Sequence, residues 1–356
     1  MSVYRRRVMQ VKHPPNQITA VYNVTSTTSS TRLYKGTYIG DAVVGLVIDG
    51  EKTEKRASFT FPTTGFHEVK ILIQGGYEGT AVQLFYECTA LYSVDFSECR
   101  AAFTDATNMF YKCSSLVSVS GFNFEKVTSA SHMFDTCSKL SSCDVSSWRT
   151  ANLKDASAMY RKCAALTYLD VSNWDLSNLE TAENMFAECA KLSSLDVSKW
   201  GMGKVTTTER MFDHCSKLTN LNASNWVLNN LTNAERMFYY AGLQTIDASN
   251  WGLQSLSNTY GMFERSKLEK LNASDWDLSQ VTKWAYMFRY CPLNEIHLNT
   301  EIKSDAELAI ATDTNGLFYG VTTSGTLYYY PHASFVEKFL PIIPSTWTAI
   351  DITTLE

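Results

Sequence analysis

Proline is scarce, with 7 residues, and glycine reaches only 17 in a chain of 356, so neither a collagen-like nor a low-complexity disordered chain fits. No apolar run approaches the roughly 18 residues that a membrane helix needs. The longest, such as Ala42-Val43-Val44-Gly45-Leu46-Val47-Ile48, stop far short, and no membrane insertion is expected. A basic excess is missing too: 31 Lys plus Arg face 36 Asp plus Glu, a formal charge of −5, so no global field exists to hold a nucleic-acid backbone. Nine cysteines include no C-x-x-C pair, and their odd number defeats a complete disulfide framework. The amino terminus has a basic start but no apolar core of roughly 7–15 residues and no small-residue cleavage site, and no cysteine lies near it. The expectation is a chain that uses neither a signal peptide nor a lipid anchor.

What is present is an internal repeat. An apolar-aromatic pair recurs as Leu84-Phe85, Met109-Phe110, Met133-Phe134, Met159-Tyr160, Met185-Phe186, Met211-Phe212, Met237-Phe238, Met262-Phe263 and Met287-Phe288, at intervals of 24 to 26 residues, with Leu317-Phe318 as a degenerate last copy. Between anchors, Leu166, Leu192, Leu218, Leu243 and Leu268 form one column. Leu169, Leu195, Leu221, Ile246 and Leu271 form a second, and Val171, Val197, Ala223, Ala248 and Ala273 a third. Offsets of 0, 3 and 5 predict a short strand entered through a bend, with Leu195 and Val197 inward and Asp196 outward. Trp148, Trp174, Trp200, Trp226, Trp251 and Trp276 fall three residues later and predict a structural spine of stacked indoles. Leu176, Leu179, Ala182, Met185 and Cys189 recur at three- and four-residue spacing, which predicts a short helical segment on the convex side. The fold expected is therefore a repeat solenoid, leucine-rich-repeat-like, with a strand and a short helical segment in each coil of about 25 residues.

The run Met185-Phe186-Ala187-Glu188-Cys189-Ala190-Lys191-Leu192, followed by Leu195-Asp196-Val197-Ser198-Lys199-Trp200, resembles the BspA-like leucine-rich-repeat family of bacterial surface proteins, in the form shared with Mycoplasma-type surface lipoproteins. The similarity spans about residues 84 to 300. It implies a leucine-rich-repeat solenoid and a role in adhesion or surface recognition without catalysis.

The flanks read differently. Residues 1–16 form a basic arm with Arg5, Arg6 and Arg7 as a candidate docking peptide. Residues 17–75 hold five β-rich runs with an Asp49-Gly50 hairpin signal, and predict a small all-β, sandwich-like module with immunoglobulin-like closing strands in front of the solenoid at 76–300. Eight to nine coils are expected there. Residues 301–356 read as a carboxy-terminal cap, with a strand at Gly325-Thr326-Leu327-Tyr328-Tyr329-Tyr330, a short helix from Ser334 to Leu340 and a final strand from Ala349 to Ile352.

No catalytic or metal-binding constellation emerges, and no cofactor is expected. Cys88, Cys113, Cys137, Cys163, Cys189, Cys215 and Cys291 share one column with Ala241 and Ser266, which reads as packing in a reducing compartment. Asp213-His214-Cys215 mimics a nucleophile with its base, but aligned copies place Lys112, Thr136, Lys162, Glu188, Tyr240 and Tyr290 at the His214 position. The outward strand column is the candidate binding face: Asp144, Asp170, Asp196, Asn222, Asp247 and Asn272, flanked by small hydroxyl residues. Its bland reading is a set of Asx and ST turns; its functional reading is an acidic, hydroxyl-rich platform for a basic protein patch, a glycan or Ca²⁺. The function expected is non-enzymatic recognition or structure on an outer surface, as a phage virion component docked through its amino-terminal region to an assembly partner. The alternatives are a BspA-like cell-surface adhesin meeting a host protein or glycan, and an intracellular scaffold; homo-oligomers stay open and nucleic acid is not a partner.

Overall fold

In the computed structural model, residues 16–298, 316–332, 336–337 and 339–354 are described. The anchor pairs stack, and the backbone joins them. Phe85, Phe110, Phe134, Tyr160, Phe186, Phe212, Phe238, Phe263 and Phe288 each donate their N–H to the carbonyl of the residue that opens the next anchor, at 2.8–3.0 Å. Leu317-Phe318 is the last partner in this ladder, so the chain forms a β-solenoid of about ten turns.

Most coils have a short parallel strand on one side. Ser118–Ser120 pairs with Leu91–Asp95 and with Ser142–Cys143; Ser194–Leu195 pairs with Asn220–Leu221. Thr245–Asp247, Lys270–Ala273, Glu295–Leu298, Gly325–Tyr329 and Trp347–Asp351 form a five-stranded parallel sheet at the carboxy-terminal end. A second ladder, of isolated parallel bridges, runs from Asp105 through Ser129, Asp155, Thr181, Thr207, Asn233 and Asn258 to Lys283.

The convex wall is not helical, which corrects the leucine-rich-repeat expectation. Alternate residues there use their N–H groups differently. Ala182, Asn184, Phe186 and Glu188 donate to Thr207, Glu209, Met211 and Asp213 in the next coil, at 2.7–3.1 Å. Met185, Ala187 and Cys189 donate three residues back, to Ala182, Asn184 and Phe186. The alternation works because the residues before and after each anchor are left-handed: Asn184 has φ 56° and Glu188 φ 62°. Left-handed residues four apart stop a helix from propagating and turn every other N–H toward the neighbouring coil. The three- and four-residue spacing of buried side chains is met by turns.

The amino-terminal strands run directly into the first coil. Gln17–Val24 pairs antiparallel with Gly65–Ile73 and with Leu91–Asp95, the strand of the first coil, so one seven-stranded sheet runs from residues 17–75 into the solenoid. A four-residue helix, Gly36–Ile39, stands within one of the five runs expected to be strands, and Thr31–Arg32 pairs with Ser58–Phe59 apart from the main sheet. The physical reason is the first coil's strand edge, whose backbone groups have no preceding coil to pair with and are satisfied by Gln17–Val24 instead. The Asp49-Gly50 turn joins Val43–Ile48 to Glu51–Thr53, with φ 49° and 89°, the pair of positive values that a two-residue hairpin uses. Of the helix expected from Ser334 to Leu340, residues 334, 335 and 338 lie outside the described residues, and Leu340–Ile342 is a 3₁₀ turn.

Candidate functional site

The interior is filled by two aromatic columns and one thiol column, which fix what the outer faces can present. Trp148, Trp174, Trp200, Trp226, Trp251 and Trp276 are buried, with neighbouring rings stacked at 5.7–6.1 Å. Each indole N–H from Trp174 onward donates to a carbonyl of the preceding coil, as Trp226 does to Val197 at 3.1 Å. The Trp148 N–H finds no partner. Beside this spine the anchor rings from Phe85 to Phe318 stack at 5.1–5.8 Å.

The thiols of Cys113, Cys137, Cys163, Cys189, Cys215 and Cys291 lie 2.7–3.2 Å from the carbonyl of the preceding coil's anchor aromatic. Burial pushes the Cys189 and Cys291 thiols up to about 12, so they stay protonated and act as donors. Cys215 therefore faces the Phe186 carbonyl, while Asp213 and His214 bond to each other.

On the sheet face, Asp144, Asp170 and Asp196 each accept the backbone N–H of the serine two residues on, at 3.2–3.3 Å, and its hydroxyl at 2.6–2.7 Å. Asn222 accepts from the Ser224 hydroxyl. Asp247 accepts from Ser249 N–H and from the Asn272 amide, and Asn272 in turn accepts from Ser274 N–H. The Ser198 hydroxyl and N–H hold the Asp196 carboxyl below the usual range. These donors offset the repulsion between successive carboxylates. Among the described residues no group of three or more His, Cys, Asp or Glu side chains is placed to hold a metal ion.

The sheet face is interrupted after Ser142–Cys143 and again between Asn220–Leu221 and Thr245–Asp247; the first break opens a notch. Ser142–Cys143 ends the amino-terminal sheet, and Tyr168 in the following coil pairs as an isolated bridge with Ser194 on its other side. An open notch of about 360 Å³ lies between the two coils, lined by Ser142, Asp144, Ser146, Tyr168 and Asp170 among others. Tyr168 is 60% exposed there. Sequence reasoning passed it over, although it stands alone as an aromatic residue in a column with Ser93, Ser118, Ser142, Ser194, Asn220, Thr245, Lys270 and Glu295.

Two charged features on the turn-built wall were also missed. Asp135 is fully buried; Arg161 donates to its two oxygens at 3.0 and 2.8 Å, with His132 and Thr136 as further partners. Burial raises its carboxyl, but the bonds from His132 and Arg161 outweigh that and leave it below the usual range. Further along the wall, arginines and tyrosines interleave from Arg236 to Tyr319. The arm residues Arg5, Arg6 and Arg7 lie outside the described residues.

No helix among the described residues is long and apolar enough to cross a membrane. A search of curated proteins finds no match. Residues 83–195 and 184–304 match the model of the family described as Mycoplasma protein of unknown function, DUF285. The two matches run together from residue 83 to residue 304, more than half of the chain, and cover the stacked coils just described, so the chain belongs to that family.

Proposed function

We propose that the protein is a non-enzymatic recognition and structural component of an outer surface, whose sheet face, centred on the notch at Tyr168, makes the contact. The observation that carries the reading is the notch itself: an exposed tyrosine lining one groove with two carboxylates whose local hydrogen bonds hold them in fixed orientations. A rigid aromatic side chain beside preoriented acceptors suits a basic protein patch or a glycan. A repeated, aromatic-filled rod is also an efficient spacer, because each coil adds length without a new core.

A virion component, with the amino-terminal region as its attachment end, is the form we favour. The support is the thiol column, which requires reduced cysteines and fits a chain that folds in a reducing cytoplasm and is assembled into a particle there. The second reading, a BspA-like adhesin on a bacterial surface, draws support from the Mycoplasma-type family.

The contact is tested with labelled full-length protein on intact host or producing cells. Tyr168→Ser combined with Asp170→Ala and Asp196→Ala should cut binding at least tenfold while the melting temperature holds. Undiminished binding by the triple variant would remove the sheet face from the account.

A further inference from the structure

The coils differ on the turn-built wall. The residue two places after the anchor is Glu87, Lys112, Thr136, Lys162, Glu188 and His214 in the first six coils, then Tyr240, Arg265 and Tyr290. In the position before the anchor, Arg236 and Gly261 lead to Tyr286. All of these positions are left-handed, and Tyr240, Tyr286 and Tyr290 have φ of 53°, 65° and 56°. A left-handed backbone disfavours bulky side chains, and Gly261 and Gly320, at the same two positions, show that glycine meets everything the fold asks for. Three tyrosines here are not explained by folding.

The side chains around them form a continuous ladder. The Arg236 guanidinium lies 5.2 Å from the Tyr239 ring and 5.4 Å from Tyr260. Arg265 lies 5.4 Å from Tyr240 and 4.7 Å from Tyr290, and donates to the Tyr240 hydroxyl at 2.8 Å. Arg289 lies 4.6, 5.0 and 5.6 Å from Tyr286, Tyr290 and Tyr319. Beneath them Glu264 is buried, with Arg289 at 3.3 Å and Arg265 at 3.9 Å. The charges of Arg236, Arg265 and Arg289 all act on the Glu264 carboxylate, while Glu235 accepts from the Asn258 amide. The Nε atoms of Arg236 and Arg289 have no hydrogen-bond partner; ring faces flank both guanidiniums, and Arg289 also donates through Nη1 to the Glu264 carboxylate at 3.3 Å. Tyr240 and Tyr290 are 37% and 40% exposed.

We propose that this tyrosine–arginine ladder is a docking surface for an acidic polypeptide segment of a partner protein. Tyrosine and arginine are the residues that concentrate binding energy at protein interfaces. Here they are already immobilised against one another, so little rotamer entropy is left to lose on binding. The Arg265 guanidinium is exposed, and an exposed guanidinium pairs readily with a carboxylate. A nucleic acid fits less well, because the chain as a whole carries −5 and the ladder holds three arginines rather than an extended basic stripe. The inference rests on the reading that the chain acts by recognition, but on a different face from the Tyr168 notch.

The test uses the full chain and a fluorescent Glu/Tyr random copolymer as the probe, followed by anisotropy at low and physiological salt. Asparagine tolerates the left-handed backbone, so Tyr240→Asn with Tyr290→Asn should keep the melting temperature and weaken copolymer binding at least tenfold. Arg265→Gln, on an exposed side chain, should weaken it several-fold and flatten its salt dependence. Tyr168→Ser with Asp170→Ala should leave copolymer binding unchanged, which separates this surface from the sheet face. Absence of copolymer binding, equal binding by the Tyr240/Tyr290 and Arg265 variants, or tighter binding of heparin or single-stranded DNA would each overturn the proposal.

Discussion

Trp200 sits between Trp174 and Trp226, with ring centroids 6.1 Å away on each side, and donates its indole N–H to the Val171 carbonyl at 3.3 Å. It is 2% exposed, so Trp200→Ala should cost about 3–5 kcal/mol in urea unfolding, through lost burial and a cavity its stacked neighbours cannot close. Trp200→Phe keeps the stack and loses the donor, for about 1 kcal/mol. An unchanged midpoint for the alanine variant would show that the spine is dispensable. Asp135 offers a pH test. Its folded-state carboxyl is held below the ordinary value of about 3.9, so its contribution is fully present above that value and is lost as pH falls through the depressed one. Asp135→Ala should cost toward the lower end of about 3–5 kcal/mol at pH 7, since Arg161 is 32% exposed and can rehydrate. The gap between variant and parent should narrow below about pH 4. A gap independent of pH would mean that packing, not charge, is what Asp135 supplies.

At the scale of the coil, the left-handed residues flanking each anchor decide between a helix and a laddered turn. Lys162, at φ 62°, is half-buried, and its ion pair with Glu188 at 3.6 Å contributes little. Lys162→Gly should therefore gain about 0.5–1 kcal/mol, the relief of left-handed strain less the entropy of the freer unfolded chain. Lys162→Val should lose at least about 1 kcal/mol. Equal thermal midpoints for the two variants would argue against the left-handed turn. This element also marks how far the sequence could be read. The period, the inward columns and the serine-bonded carboxylates were legible because each depends on short, repeated spacings. The turns were hidden because most of their left-handed residues, such as Asn184, Lys162, Glu188, His214 and Arg210, carry no glycine signature, and three- and four-residue spacing is shared by helices and by tight turns. The pairing of Gln17–Val24 with Leu91–Asp95 was hidden for a different reason: it joins segments some seventy residues apart and leaves no local pattern. Tyr168 and the tyrosine–arginine ladder were visible only as departures from columns, and become surfaces once the coils are stacked.

For the whole molecule, stability is a sum over coils and the contacts between them, and the ends are the exposed points of such an array. The amino-terminal strands extend the sheet over the first coil, and Trp347–Asp351 supplies the last parallel strand at the other end. Among the described residues, the notched sheet face and the turn-built wall are the two outward surfaces that we propose make contact with other macromolecules. The central claim is that this rod works at an outer surface. The most direct measurement is the location of the native protein, by sedimenting a producing culture and its lysate through a density gradient and blotting each fraction. The account predicts co-migration with DNA-filled particles, or recovery with the cell envelope under the adhesin reading. A purely soluble pool, absent from both fractions, would contradict it and leave an intracellular scaffold in its place.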